Sequence, residues 1–455
     1  MDGELLIKKY EKERVSKVKI AFTDVDGVQR GKYLSMEKFR EVVTGSSGFC
    51  DCVFGWDVDD QLYDNSSFTG WHTAFPDAMY RVDLGTERRL KDEGNVPFFI
   101  ADFIDDDANE HSICPRSRLK NIIRRSEEAG FSLKCGFEYE FFVFKETSQS
   151  IREKRYTNLE PLSPGNFGYS LLRTMTYSDL FNEFMDYCQD HKFGLEGLHC
   201  ETGPGVWEAA ISADTILEAA DKAALFKTFT KAFFQRKNMT ATFMAKWSMD
   251  YPGQSGHLHQ SLLSAESGQN LFFDDKADQN ISPLMLNYLG GLLNYMGEYL
   301  AMTSPTINSY TRLVKGAWAP TVSAWGLENR TTSLRVLGSS KKSKRIEFRL
   351  GSADANPYLV AAANIAAGLE GIESGLLPGQ PITGNAYEQE EDLPRSQQLS
   401  SNLRDAVTIF RHSDFSRKYF GDEFVDHYSA SREWEVREYE RHVNDWQLKR
   451  YFEII

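Results

Sequence analysis

"KCGFEYEFFVF", residues 134–144, is the stretch whose reading decides the fold. Its Phe, Tyr, Val and Gly belong to a buried strand, yet Glu138 and Glu140 stand at its centre. Side chains two apart on a strand share a face. The two glutamates therefore point one way, and Phe137, Tyr139, Phe141 and Val143 point the other. A carboxylate taken out of water without a partner costs on the order of several kcal/mol, or it takes up a proton. The pair reads either as a solvated edge or as a site that needs a cation.

Later segments repeat the pattern. "HCETGPGVWEAAI" sets Glu201 and Glu208 on either side of a Gly-Pro-Gly turn, so its two arms converge. "SGHLHQSL" puts His257 and His259 on one strand face, and "KRIEFRL" does the same for Arg345, Glu347 and Arg349. Arg312 lies in "INSYTRLVKG", and Arg330 and Arg335 lie in "GLENRTTSLRV". All are read as strand-like positions inside apolar segments. Each alone fits a solvated ladder or a satisfied core histidine; together they point to one polar interior. Carboxylates with an imidazole and little nearby thiolate favour Mg²⁺ or Mn²⁺ over zinc. Arginines grip carboxylate and phosphate with two parallel bonds. The set suits phosphoryl transfer. No GxxxxGK[ST] and no strand-borne GxGxxG occurs, so neither a P-loop nor a Rossmann site is expected.

Outward from this centre, the chain reads as α+β. "VKIAFTDVDGVQRGKYLS" is a hairpin about Asp26-Gly27, and its DVDG lacks the later ligands of a calcium loop. The acidic stretch 102–114 marks a boundary, followed by a helix with Pro115 in its first turn and Gly130 at its end. Helices are expected over 212–238 and 356–375, a surface loop over 375–396, and charged helices from 400 on.

With 455 residues the chain is long enough for two domains, and its 52 basic against 66 acidic residues, net −14, argue against nucleic acid. No apolar run reaches membrane-spanning length, and the opening "MDGELLIKKYEKE" is charged with no apolar stretch after it. Neither a leader nor a membrane partner is expected. The six cysteines, Cys50 and Cys52 among them, form no zinc set and read as buried free thiols of a reducing cytoplasm.

Taken in order, "GFEYEFF", "LHCETGPGVWE", "HLHQSL", "NSYTRLVKG", "ENRTTSLRV" and "RIEFRLGSADANPYLVAAANIAAGLEGI" resemble the glutamine synthetase family over roughly residues 50 to 375. The likeness is nearer to the γ-glutamyl-amine ligases than to glutamine synthetase proper. It implies a small N-terminal β-grasp-like domain over 1–112 and a catalytic domain over 113–455, the latter with a curved antiparallel sheet flanked by helices. It implies that Glu140, Glu201 and Glu208 hold one metal and that Glu138, His257 and Glu347 hold another. Arg312, Arg349 and Gly253 would bind L-glutamate, and Arg330 the transferring phosphoryl group. Glu196, Ser261, Arg335, Lys342 and Arg345 would contact ATP. The implied reaction phosphorylates the γ-carboxylate of glutamate and lets an amine displace phosphate. The family works as a homo-oligomer with active sites between subunits, commonly a dodecamer.

The sequence departs from the family at the flap. Where glutamine synthetase proper has a glutamate two residues after the Gly of "RLVPG", this chain has Trp318 in "RLVKGAWAP". Indole accepts no proton from ammonium, but it offers an apolar wall and a cation–π face. The expected substrate is therefore an amine larger than ammonia. The open alternatives are that Trp318 only packs the flap while Glu328 or an N-terminal aspartate supplies the base, that the enzyme is glutamine synthetase itself, or that the chain is a silent relative. The family's N-terminal amine-site aspartate falls at Asp57, with Asp59 and Asp60 as rivals and Trp56 beside it. Tyr387 lies near where some bacterial members are adenylylated, but its surroundings do not match.

Overall fold

The computed structural model describes residues 2–455 apart from 46, 106 and 108. β1 (Lys17–Thr23) and β2 (Gln29–Ser35) form the expected antiparallel hairpin. Its turn is tied by Asp24 Oδ1, which accepts from the N–H groups of Asp26 at 3.0 Å and Val28 at 2.9 Å. Gly27 at φ +81° supplies the left-handed step.

β3 (Ser47–Cys50), β4 (Asp77–Val82), β5 (Arg88–Leu90) and β6 (Val96–Ile104) complete a six-stranded sheet, ordered β2-β1-β6-β4-β3 with β5 on β6. β7 (Phe131–Phe144), β8 (Leu195–Cys200), β9 (Val206–Ile211), β10 (Asp214–Thr215) and β11 (Thr240–Thr242) belong to a second sheet. So do β12 (Gly256–Ser264), β13 (Trp325–Leu327), β14 (Leu334–Leu337) and β15 (Arg345–Phe348). Its nine strands run β13-β14-β15-β12-β7-β9-β8, with β10 and β11 also pairing with β7. The opening stretch of sequence is thus the central strand. This is the α+β architecture expected from the sequence.

Helices back both sheets. Pro115–Glu128 starts on Pro115, and Gly130 follows its end at φ +85°. The helix expected over 212–238 is Ile216–Gln235, because Asp214 and Thr215 first pair with β7. Pro357–Glu373 is almost wholly buried and crosses Pro283–Tyr295 so closely that a Cβ on Gly291 would meet Ala367 O at 2.0 Å. Asn356 caps that helix through Tyr358 N–H and donates to Asp24 O at 2.9 Å, which joins it to the hairpin.

The 375–396 segment is more than the surface loop expected. It contains the short helix Ala386–Gln389, and Ile382 and Ala386 bury against Val322 and Ala324. All six cysteines are free thiols, four buried and two half-buried. Among the described residues no helix is long and apolar enough to cross a membrane.

Candidate active site

β7 turns Phe137, Tyr139, Phe141 and Val143 into the core and presents Glu138 and Glu140 to a cavity of about 670 Å³. Register brings the remaining groups to the same face. Glu140 lies opposite Glu208 on β9, and Glu138 lies opposite His257 on β12. Glu347 on β15 lies opposite His259 on one side and Arg335 on the other. Glu201 follows β8, held by its N–H to Val206 O at 3.2 Å, so the Gly-Pro-Gly turn does bring it beside Glu208.

Two clusters result. In the first, His257 Nδ1 stands 3.4 Å from Glu347 and 3.7 Å from Glu138, and His259 Nε2 stands 3.2 Å from Glu138. Arg335 donates to Glu347 at 3.0 Å, and Arg349 pairs with the other oxygen. Burial opposes ionising Glu347, but His257 and Arg349 hold its carboxyl down to about 2. Glu138 is likewise held far below the carboxylate range, against burial, by His257 and His259. His257 Nε2 and His259 Nε2 are buried without a hydrogen-bond partner. Imidazoles close to carboxylates yet unaligned with them suit ligands aimed at a shared ion.

In the second cluster, His199 Nε2 lies 3.1 Å from Glu201 and 3.8 Å from Glu208. Ser255 donates to Glu140 Oε2 through both its N–H, at 2.6 Å, and its hydroxyl, at 2.7 Å. Burial, then Glu140 and Glu138, push the Glu208 carboxyl up to about 9. At Glu208, burial and like charge outweigh the cations nearby, of which Arg312 acts on Glu140. Oxygen donors with one imidazole, in surplus charge, fit a hard divalent cation such as Mg²⁺ or Mn²⁺.

The cavity takes in every metal-ligand candidate, together with Gly253, Trp318, Arg330, Arg345 and the pair Arg312 and Arg349. Arg312 is not on a strand. It ends the helix Ile307–Arg312, fixed by the Thr306–Ser309 capping box, and donates to Leu350 O at 2.9 Å and Arg349 O at 3.0 Å. Arg330 sits in a turn after β13, exposed and with no hydrogen-bond partner among the described residues. Gly253 has no room for a Cβ, which would lie 2.6 Å from both Ala245 O and Arg312 Cγ. Trp318 is 58% exposed at the mouth, at φ +60°.

Four expected residues lie outside the lining. Lys342 is exposed in the turn before β15, Ser261 donates to Lys344 O at 3.0 Å, and Glu196 accepts from Ala213 N–H at 3.3 Å. Asp57 accepts from the N–H groups of Asp59 and Gln61 at 2.9 Å each and from Trp434 Nε1 at 2.9 Å. Asp60 pairs with Arg30, whose guanidinium also covers Trp56 at 5.0 Å, while Asp59 is exposed and bonded through its backbone, its carboxylate having no partner among the described residues. Glu328 is engaged by Arg335 at 2.7 Å.

His199, His259 and Tyr169 join the site without having been assigned to it. Tyr169 stacks on His199 at 4.6 Å, 11° from parallel, and lines the cavity beside Glu201. The spacing of two residues between His199 and Glu201 was the available signal, being the same signal as Glu138 and Glu140.

A family model described as "Glutamine synthetase, catalytic domain" matches residues 112–451. The chain is 44% identical to "Type-1 glutamine synthetase 2" of Dictyostelium discoideum, across 96% of this chain and 84% of that one. It is 35% identical to the "Glutamate--isopropylamine ligase" of a Pseudomonas species, across 98% and 96%. The solved structure described as "Apo GmaS without ligand" is similar at a TM-score of 0.85 and 26% identity, covering 98% of this chain and 99% of that one.

Proposed function

The chain belongs to the glutamine synthetase family of ligases, and from that premise we propose that it joins the γ-carboxylate of L-glutamate to an organic amine, with ATP converted to ADP and phosphate. The observation that carries the choice of amine is Trp318, exposed at the cavity mouth where a carboxylate would be needed to take a proton from ammonium. Its ring offers a cationic amine about 0.5 to 2 kcal/mol of cation–π attraction. Tyr169 lines the same cavity and adds a second aromatic surface.

Arg312 and Arg349 hold the glutamate carboxylate beside Gly253, whose lack of a side chain lets Arg312 pack against its backbone. The γ-carboxylate oxygen forms a bond to the terminal phosphorus as the bond to ADP breaks. Arg330 faces the cavity unpaired and neutralises the transferring oxygens, with Arg335, Arg345 and Lys342 on the nucleotide phosphates and Glu196 and Ser261 at the nucleotide's flank. The amine nitrogen then bonds to the acyl carbon, phosphate leaves, and the nitrogen loses its proton. Glu140, Glu201 and Glu208 would hold one Mg²⁺ or Mn²⁺, and Glu138, His257 and Glu347 another. Such ions polarise phosphoryl oxygens and screen their charge. The proton acceptor is assigned to the 57–60 loop of a neighbouring copy in a homododecamer. There the carboxylate of Asp59, unlike that of Asp57, has no partner among the described residues.

The second reading, glutamine synthetase acting on ammonia, is favoured by the relative at 44% identity that carries that name. ADP release measured with ammonium, methylamine, isopropylamine, ethanolamine and putrescine separates the two. An organic amine is expected to give the highest kcat/KM, and Trp318→Glu is expected to shift preference toward ammonium. Ammonium as the best substrate of the unmodified protein would overturn the reading.

A further inference from the structure

The flap that carries Trp318 makes few hydrogen bonds, although Ala319 within it is buried. Within residues 315–320 one backbone bond is its own, from Ala317 N–H to Val314 O at 3.2 Å. Among the described residues a single hydrogen bond reaches this segment from elsewhere, from Tyr387 Oη to Ala319 O at 3.1 Å. Its acceptor is the residue next to Trp318. Trp318 itself is held in the left-handed region at φ +60°, a conformation that persists in a bulky side chain only where the surroundings over-determine it.

Tyr387 is well placed to do this. The residue is 9% exposed, and Arg349 and Arg312, which line the cavity, act on its phenol. Burial raises that phenol's pKa, so the hydroxyl keeps the proton it donates. The segment carrying it is also fastened to the turn that bears Arg330. Asn329 Nδ2 donates to Ile382 O at 3.1 Å and to Gly384 O at 2.9 Å, and Ala386 N–H donates to Thr331 Oγ1 at 2.9 Å.

We propose that Tyr387 is a positioning residue that latches the flap. The 382–387 segment thereby sets Trp318 and Arg330 as one unit over the bound amine. The kinetic part of this proposal rests on the amine-ligase reading; the structural part does not.

Tyr387→Phe keeps the buried ring and removes only the donor. Amide exchange in the 313–322 peptide of the substrate-free protein is expected to quicken by about threefold to tenfold, the size of one lost neutral hydrogen bond. KM for the amine is expected to rise by a similar factor, with kcat and KM for ATP unchanged. In a Trp318→Ala background the same change is expected to leave amine KM where it was, since there is no indole left to position. Unchanged flap exchange, or a loss shared by kcat and every KM, would overturn the latch. Should the unmodified protein turn over neither amines nor ammonium, the proposed function fails while the exchange measurement still decides the latch.

Discussion

The two carboxylate clusters differ in who balances their charge. Around Glu347 and Glu138 the protein supplies its own cations, Arg335 and Arg349 with two histidines alongside, and these hold the Glu347 carboxyl down to about 2. Around Glu208 it does so only in part: His199 lies near Glu201 and Glu208 and Arg312 acts on Glu140, yet burial and the neighbouring carboxylates still push Glu208 up to about 9. One strand feeds both clusters, from side chains two residues apart. The first is an arrangement that folding itself stabilises. The second carries an excess of acid that a bound cation would offset.

That contrast predicts opposite outcomes for two like substitutions in chelator-treated protein. Glu347→Gln leaves Arg335, Arg349 and His257 without their buried partner and is expected to destabilise by about 3–5 kcal/mol. Glu208→Gln removes a repelled carboxyl and is expected to stabilise by roughly 1–3 kcal/mol at neutral pH. The sign follows from linkage. Because the folded pKa of Glu208 lies above its unfolded value, its contribution is fully present below about 4.5 and is lost as pH rises toward 9. The advantage of Glu208→Gln should therefore grow with pH across that window, read from urea unfolding at several pH values. Destabilisation by both substitutions would erase the contrast.

Glu347 behaves the other way. Its folded pKa is depressed, so its contribution is present above about 4.5 and lost as pH falls toward 2. A smaller effect outside the site overlaps this acid limb. Burial, then His111 and Arg432, lower His427 to about 3, and burial with Arg118 lowers His111 to about 4. Both contribute stability above their unfolded value near 6.5, and lose it as pH falls below that. His427→Gln is expected to remove about 1 kcal/mol of the loss between pH 7 and 5.5. An unchanged acid limb would assign that window elsewhere.

Much of this was legible in the sequence because period-two spacing carries register. Glu138 with Glu140, and His257 with His259, announce a face as well as a residue type. Once β7 is central, its neighbours can only be strands that complete the face. The hairpin at Asp26-Gly27 and the helix after Pro115 were legible from local chemistry, a turn and a first helical position. Arg312 was misread as strand-borne because a charged residue in an apolar run looks alike on a short helix and on a strand. The burial of Ile382, Ala386 and Tyr387 was invisible because a Gly- and Pro-rich segment reads as surface whatever it packs against. Asp57 was chosen by counting along the chain, and counting does not show that its oxygens are taken by Trp434 and its own loop.

The most direct measurement is calorimetric titration of Mn²⁺ into chelator-treated protein, with Glu208→Gln and Glu347→Gln run beside it. Two sites per chain are expected in the unmodified protein, with each substitution weakening a different one. No Mn²⁺ uptake, or full uptake at both sites in both variants, would contradict the claim that these clusters are built to hold divalent cations.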